Sequence, residues 1–225
     1  MTIYSIDSAS QYLKNKGYIV EDPWDIVLGF EALIAQYCGS KYAISLDSCT
    51  NGLLLCLNYL KITNQEIEIP SRTYLSVPQI ILQTGNYPIF KDKAWTGNYE
   101  FGNTNIIDSA GRISNNMFIK NKFMCLSFHR KKNIPIGKGG MILTDSENAY
   151  NWMYKAVYEG RDRRENHDEI NDLEILGWNM YMTPEEASYG VDLFSNYIKE
   201  TNHSDCAYSE KYKDLSLFPI FRNRN

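Results

Sequence analysis

The chain has 225 residues, 44% of them hydrophobic and 22% charged, which excludes wholesale disorder and collagen-like repeats. That length suits one domain with at most a short appendage. Lys+Arg of 23 against Asp+Glu of 27 leaves a formal charge of -4, a balance that does not suit a protein built to coat nucleic-acid phosphate.

The N-terminal stretch MTIYSIDSASQYLKNKGY is polar and lacks the apolar core of a signal peptide. Residues 25–38 carry apolar positions at helical spacing, with Gly39 as a stop. Tyr42–Leu46 is a short apolar run that predicts a buried strand. The small polar cluster DSCTNG follows, then the helical LLLCLNYL, so strand, turn and helix form an α/β unit. Glu66–Pro70 predicts a strand, Val77–Gln83 a short helix and Tyr87–Phe90 another strand. Residues 91–104, rich in Gly, Asn and Lys, are expected to be loop. Asn105–Ile107 predicts a strand that ends at Asp108. Phe123–Phe128 and Met141–Thr144 bracket a loop containing HRKKNIPIGKGG. A helix follows Asp145, then a highly charged stretch, then a last long helix from Pro184 to about Glu200. The tail from Lys211 on is too short for a core of its own.

No run of about 18 apolar residues suggests a membrane helix. Cys38, Cys49, Cys56, Cys125 and Cys206 are an odd set without a C-x-x-C pair, which speaks against a disulfide framework or a Cys-rich zinc site and for a reducing cytoplasm. His129, His167 and His203 lack the helical pairing that holds a metal.

Four features can carry chemistry. Ser48-Cys49-Thr50-Asn51-Gly52 joins a strand to a helix, where unpaired N–H groups and the helix dipole favour a phosphate; the plain alternative is an ordinary N-cap. Asp108 stands at a strand's carboxyl end, where α/β proteins gather ligands, or is a turn-forming Asp. Ser127-Phe128-His129-Arg130-Lys131-Lys132-Asn133 precedes G-K-G-G, and a partly desolvated lysine there has a nucleophilic amine; otherwise it is a solvated basic loop. Gly177–Pro184 leads into the last helix, as a site loop or as an aromatic anchor and cap. Phosphate cradle, strand-end acid and lysine, in that order, suit pyridoxal 5'-phosphate.

The ordered blocks FEALIAQYCGSKYAISLDSCTNGLLLCL, IPSRTYLSVPQIILQTGNYPIF, IIDSA, LSFHRKKNIPIGKGGMILTD and ILGWNMYMTPEEASYGVDL, from about Leu28 to Tyr212, resemble the DegT/DnrJ/EryC1/StrS sugar aminotransferases of the fold-type I pyridoxal phosphate class. The resemblance implies an aspartate-aminotransferase-like α/β large domain over 1–200, with a mainly parallel mixed sheet between helices. It also implies a short remnant, 201–225, where members carry a small C-terminal domain. Lys132 falls on the lysine that would form the Schiff base; Lys131 is out of register with Ser127-Phe128-His129 and Asn133. Asp108 would pair with the pyridine nitrogen and Tyr74 would stack on the ring. Ser48, Cys49, Thr50 and Ser127 would hold the phosphate, Cys49 standing where the family usually has glycine. Asn179 would reach the neighbouring cofactor across a homodimer interface.

There are departures. Gly111 stands where members usually have His or Gln, Tyr181 replaces an arginine, and a strand-and-helix segment between Phe90 and Asn105 is missing. The expected activity is amino transfer from an amino acid, glutamate by family habit, to the keto group of a nucleotide-linked keto-sugar. Two alternatives remain. One is another pyridoxal phosphate reaction on a large substrate such as a modified nucleic-acid base, aided by Arg130, Lys131, Arg222 and Arg224. The other is a degenerate binding subunit.

Overall fold

The structure, a computed structural model, describes residues 6–200 and 203–222. Four of its α-helices begin where a side chain supplies an N–H acceptor, at Asp22, Ser48, Ser146 and Thr183. In α2 (Pro23–Cys38), Asp22 and Asp25 form a reciprocal capping box, Pro23 fills the first turn, and Gly39 ends the helix at φ 82, a left-handed conformation costly for residues with a Cβ. In α6 (Pro184–Tyr197), Thr183 and Glu186 repeat the box behind Pro184. The remaining helices are α1 (Ile6–Asn15), α3 (Cys49–Tyr59), α4 (Ser76–Gln83), α5 (Glu147–Ala156) and the single turn α7 (Pro219–Arg222).

The strands are β1 (Tyr42–Leu46), β2 (Glu66–Pro70), β3 (Tyr87–Lys91), β4 (Tyr99–Glu100), β5 (Ile106–Asp108), β6 (Phe123–Ser127) and β7 (Gly140–Thr144). Five form one sheet in the order β1-β7-β6-β5-β4, and β2 pairs with β3 in a separate parallel ribbon. The mixed sheet between helices is what the resemblance implies. Parallel pairing is confined to β5–β6 and β2–β3, however, while β1–β7, β6–β7 and β4–β5 are antiparallel. One reason is β4, a two-residue strand inside the segment expected to be loop, which folds back on β5. Strands β1, β5 and β6 nevertheless run the same way, so their carboxyl ends meet at one edge.

Both faces of this sheet are covered, so its central strands are continuous apolar runs. Alternate residues of β6 and β7 point to opposite sides. Met124, Leu126, Met141 and Leu143 join Phe30, Ile34 and Val191 of α2 and α6. Cys125 and Ile142 join Leu53, Leu57 and Met153 of α3 and α5. At about 25 cal/mol per Å² of apolar surface, these two layers hold the sheet rigid, and the strand ends beyond it become fixed points for side chains. Among the described residues, no helix is long and apolar enough to cross a membrane.

Candidate active site

A cavity of about 710 Å³ opens beyond the carboxyl ends of β1, β5 and β6, the edge where ligands of α/β proteins collect. It gathers Ser48, Cys49, Thr50, Tyr74, Asp108, Ser127 and Lys132 from four separate segments. Asn179 is not among its lining residues. That side chain is exposed, donates to Glu159 Oε1 at 2.8 Å, and its backbone pairs with Tyr158 beyond α5.

The phosphate end is built from helix starts. The α3 helix begins at Cys49, one turn earlier than the small polar cluster suggests, so its first N–H groups face the cavity without intrahelical partners. Ser48 spends its hydroxyl on the N-cap, accepting from the Asn51 N–H at 3.2 Å. Thr50 Oγ1 lies 2.7 Å from Ser76 Oγ. Because Ser76 opens α4, two helix starts converge, and the helix boundary at Ser76 is the sequence signal for this unanticipated hydroxyl. The Cys49 side chain turns inward, its thiol 3.4 Å from the Cys125 carbonyl and 3.9 Å from Asp108 Oδ1, while its backbone N–H stays at the helix start.

Asp108 is 5% exposed at the end of β5. Its Oδ2 accepts from Tyr99 OH at 2.7 Å, and its Oδ1 accepts from the Ala110 N–H at 2.9 Å. Burial raises its pKa, and the Tyr99 and Ala110 hydrogen bonds together with the Lys132 charge oppose that rise. Each opposing contact favours the ionised form, so the cavity floor is a desolvated carboxylate suited to a cationic partner. Lys132 is half-buried in the turn after β6, whereas Lys131 is exposed, and it is Lys132 whose charge acts on Asp108. Around them stand Arg130, Lys131, Lys138 and Lys211. Desolvation and the charges of Arg130, Lys132 and Lys131 hold the His129 pKa down.

The outer wall comes from the segment after α6. Cys206, Ala207, Lys211 and Tyr212 line the cavity. The Cys206 N–H donates to the Gly111 carbonyl at 2.9 Å, and the Gly97 N–H donates to the Ala207 carbonyl at 2.8 Å. Arg112 grips Asp205 with two donors, at 2.8 and 2.5 Å. A Cβ on Gly111 would lie 2.8 Å from the Ala207 Cβ, so the room a larger side chain would take is filled by this segment. Tyr212 stacks on Trp95 at 5.6 Å, and its pKa is pushed up to about 12 by burial, then by the charge of Asp108. Of the basic tail residues, Arg222 donates to the Ser216 carbonyl at 2.7 Å, and Arg224 lies outside the described residues.

These parts fit pyridoxal phosphate. Two helix starts with Thr50, Ser76 and Ser127 hydroxyls offer donors to a dianion, the buried acid suits a protonated ring nitrogen, and the Lys132 amine sits in the same cavity as the acid.

Comparisons with known proteins agree with the fold. The chain is 28% identical over 240 aligned positions to an uncharacterized protein of Methanocaldococcus jannaschii, MJ1066, covering 84% of this chain and 62% of that one. The fold of this chain matches S. venezuelae DesV, solved in complex with a ketimine intermediate, at TM-score 0.66 and 17% identity, over 86% of this chain and 62% of that one. It matches a DegT DnrJ EryC1 StrS aminotransferase from Brucella abortus at TM-score 0.66 and 16% identity, over 87% and 64%. The chain therefore spans somewhat less than two thirds of the length of these relatives. The model of the DegT/DnrJ/EryC1/StrS aminotransferase family matches residues 8–98 and 118–215, and by that match over most of its length the chain belongs to this family.

Proposed function

We propose that the protein is a pyridoxal phosphate-dependent aminotransferase that moves an amino group from an amino acid, glutamate, to the keto group of a nucleotide-linked keto-sugar. The observation that carries this reading is Lys132 in one cavity with the buried Asp108, its charge acting on that carboxylate. When bound, the cofactor supplies an aldehyde carbon that links to amines and a ring that withdraws electrons.

The protein's own groups do the rest. The α3 and α4 starts with Thr50, Ser76 and Ser127 bind the phosphate. Asp108 would hold a proton at the ring nitrogen, and Tyr74, 58% exposed beside the cavity, would cover a ring face. Lys132 would hold the cofactor's aldehyde carbon and, as base and then acid, would move the proton at the donor Cα. Arg130, Lys131, Lys138 and Lys211 give the mouth a positive field suited to an anionic acceptor such as a nucleotide diphosphate. Asn179, exposed, held by Glu159 and not lining its own chain's cavity, would serve the cofactor of a second copy in a homodimer.

The test is covalent. Borohydride reduction of the cofactor-loaded protein should fix the chromophore to the peptide carrying Lys132. Lys132→Ala should lose that attachment and reduce turnover by at least about a thousandfold, in the range lost with other covalent-catalysis residues, while Lys131→Ala keeps the attachment. Attachment at Lys131, or turnover by Lys132→Ala at the native rate, overturns the assignment.

A further inference from the structure

Tyr99 belongs to none of the motif blocks, yet it makes the shortest hydrogen bond to Asp108. It stands on β4, and the register sets Tyr99 directly opposite Asp108 across the antiparallel β4–β5 pair. Its hydroxyl contacts two groups, Asp108 Oδ2 at 2.7 Å and Thr73 Oγ1 at 2.5 Å. A phenol has one proton and an ionised carboxylate only accepts, so the Tyr99 proton goes to Asp108 and Thr73 donates to Tyr99. All three side chains are buried, with Thr73 2%, Tyr99 6% and Asp108 5% exposed. The Ala110 N–H on Oδ1 completes the hold. Nothing at position 111 can help, because a Cβ there would lie 2.8 Å from the Ala207 Cβ and 2.9 Å from the Gly97 carbonyl oxygen.

We infer that Tyr99 is the positioning residue for Asp108, a strut that fixes the carboxylate's orientation at the cavity floor and ties it through Thr73 to the turn bearing Tyr74. The acid that meets the ring nitrogen and the aromatic side chain that covers the ring are thereby held by one hydrogen-bonded chain. The inference rests on the pyridoxal phosphate reading of the cavity. Removing the phenol hydroxyl takes away a hydrogen bond that favours the ionised carboxylate and leaves a buried Thr73 hydroxyl without its acceptor.

The experiment uses the full chain loaded with pyridoxal phosphate and follows the visible absorbance of the lysine-bound cofactor against pH. Tyr99→Phe should still be fixed to Lys132 by borohydride, but its absorbance midpoint should move by about one pH unit and the cofactor should dissociate about tenfold more readily, the scale of one charge-assisted hydrogen bond. Thr73→Val should move the midpoint in the same direction by less, and Thr73→Ser should restore it. A Tyr99→Phe protein that melts earlier but keeps the native midpoint and affinity overturns the inference and makes Tyr99 structural only. If Tyr99→Phe does not fold, the Thr73→Val and Thr73→Ser pair decides, and equal midpoints overturn the inference. Failure of the native chain to take up cofactor would instead defeat the reading of the cavity itself.

Discussion

Asp108 shows what a ligand-ready residue costs before its ligand arrives. Burial raises its pKa, and the Tyr99, Ala110, Lys132 and Cys49 contacts offset only part of that rise. The sign follows from linkage. An acid whose folded pKa lies above its unfolded value binds more protons in the folded state, so stability falls as pH rises from about 3.9, the unfolded aspartate value, through the folded pKa. In the cofactor-free protein, the melting temperature of Asp108→Asn minus that of the native chain should therefore increase as pH is raised from 4 to 7. A difference that stays flat or shrinks would mean that the ionised carboxylate is not strained. The position of Asp108 was legible as the last residue of an apolar run, and Lys132 as the lysine in register with its flanking block. Tyr99 was not legible, because a two-residue strand has no periodicity and the tyrosine acquires its role only through cross-strand register.

At the scale of elements, the strands and helices of the core were readable because each carries its own signal: an apolar run, a helical spacing, a capping box. Residues 91–104 and the segment after α6 were not, since neither is amphipathic on its own and each is ordered by the other. The Ser209 N–H donates to the Trp95 carbonyl at 3.0 Å, the Leu215 N–H to the Ser71 carbonyl at 2.8 Å, and Trp95 Nε1 to the Arg72 carbonyl at 2.8 Å. Gly111 lies at the join, and its departure from the family's usual side chain is explained by this close approach of two backbones. Gly111→Ala should push the segment off, costing about 1–3 kcal/mol as overpacking does. For a chain of this size that lowers the melting temperature by roughly 2–4 °C per kcal/mol, and proteolysis between residues 203 and 218 should accelerate. An unchanged melting temperature and cleavage pattern would show that the segment docks without the glycine contact.

For the whole molecule, net charge and local charge point in opposite directions. The chain carries -4 overall, yet Arg130, Lys131, Lys132, Lys138 and Lys211 line one cavity in which Asp108 is the only acid among the described lining residues, with Lys138 also paired to nearby Asp47 at 3.3 Å. Such a concentrated field in an otherwise acidic protein favours a small anion over a polyanion lying across the surface, which supports a phosphorylated cofactor and a nucleotide-linked substrate above a nucleic-acid one. Asn179 extends the argument to assembly. It sits on the strand-like stretch paired with Tyr158, anchored by Glu159 at 2.8 Å, and does not line its own chain's cavity, so the role proposed for it at a cofactor calls for a second copy. If sites are shared in this way, Asn179→Ala and Lys132→Ala damage different chains of the same site. A mixed dimer then contains one site with Lys132 from the first variant and Asn179 from the second, both intact, beside one doubly damaged site. Co-refolding the two weakly active variants should restore up to about a quarter of the native activity, the statistical yield when half the dimers are mixed and each has one good site. Simple additivity of the two variants, or a cofactor-loaded chain that elutes strictly as a monomer, would place Asn179 in a role confined to its own chain.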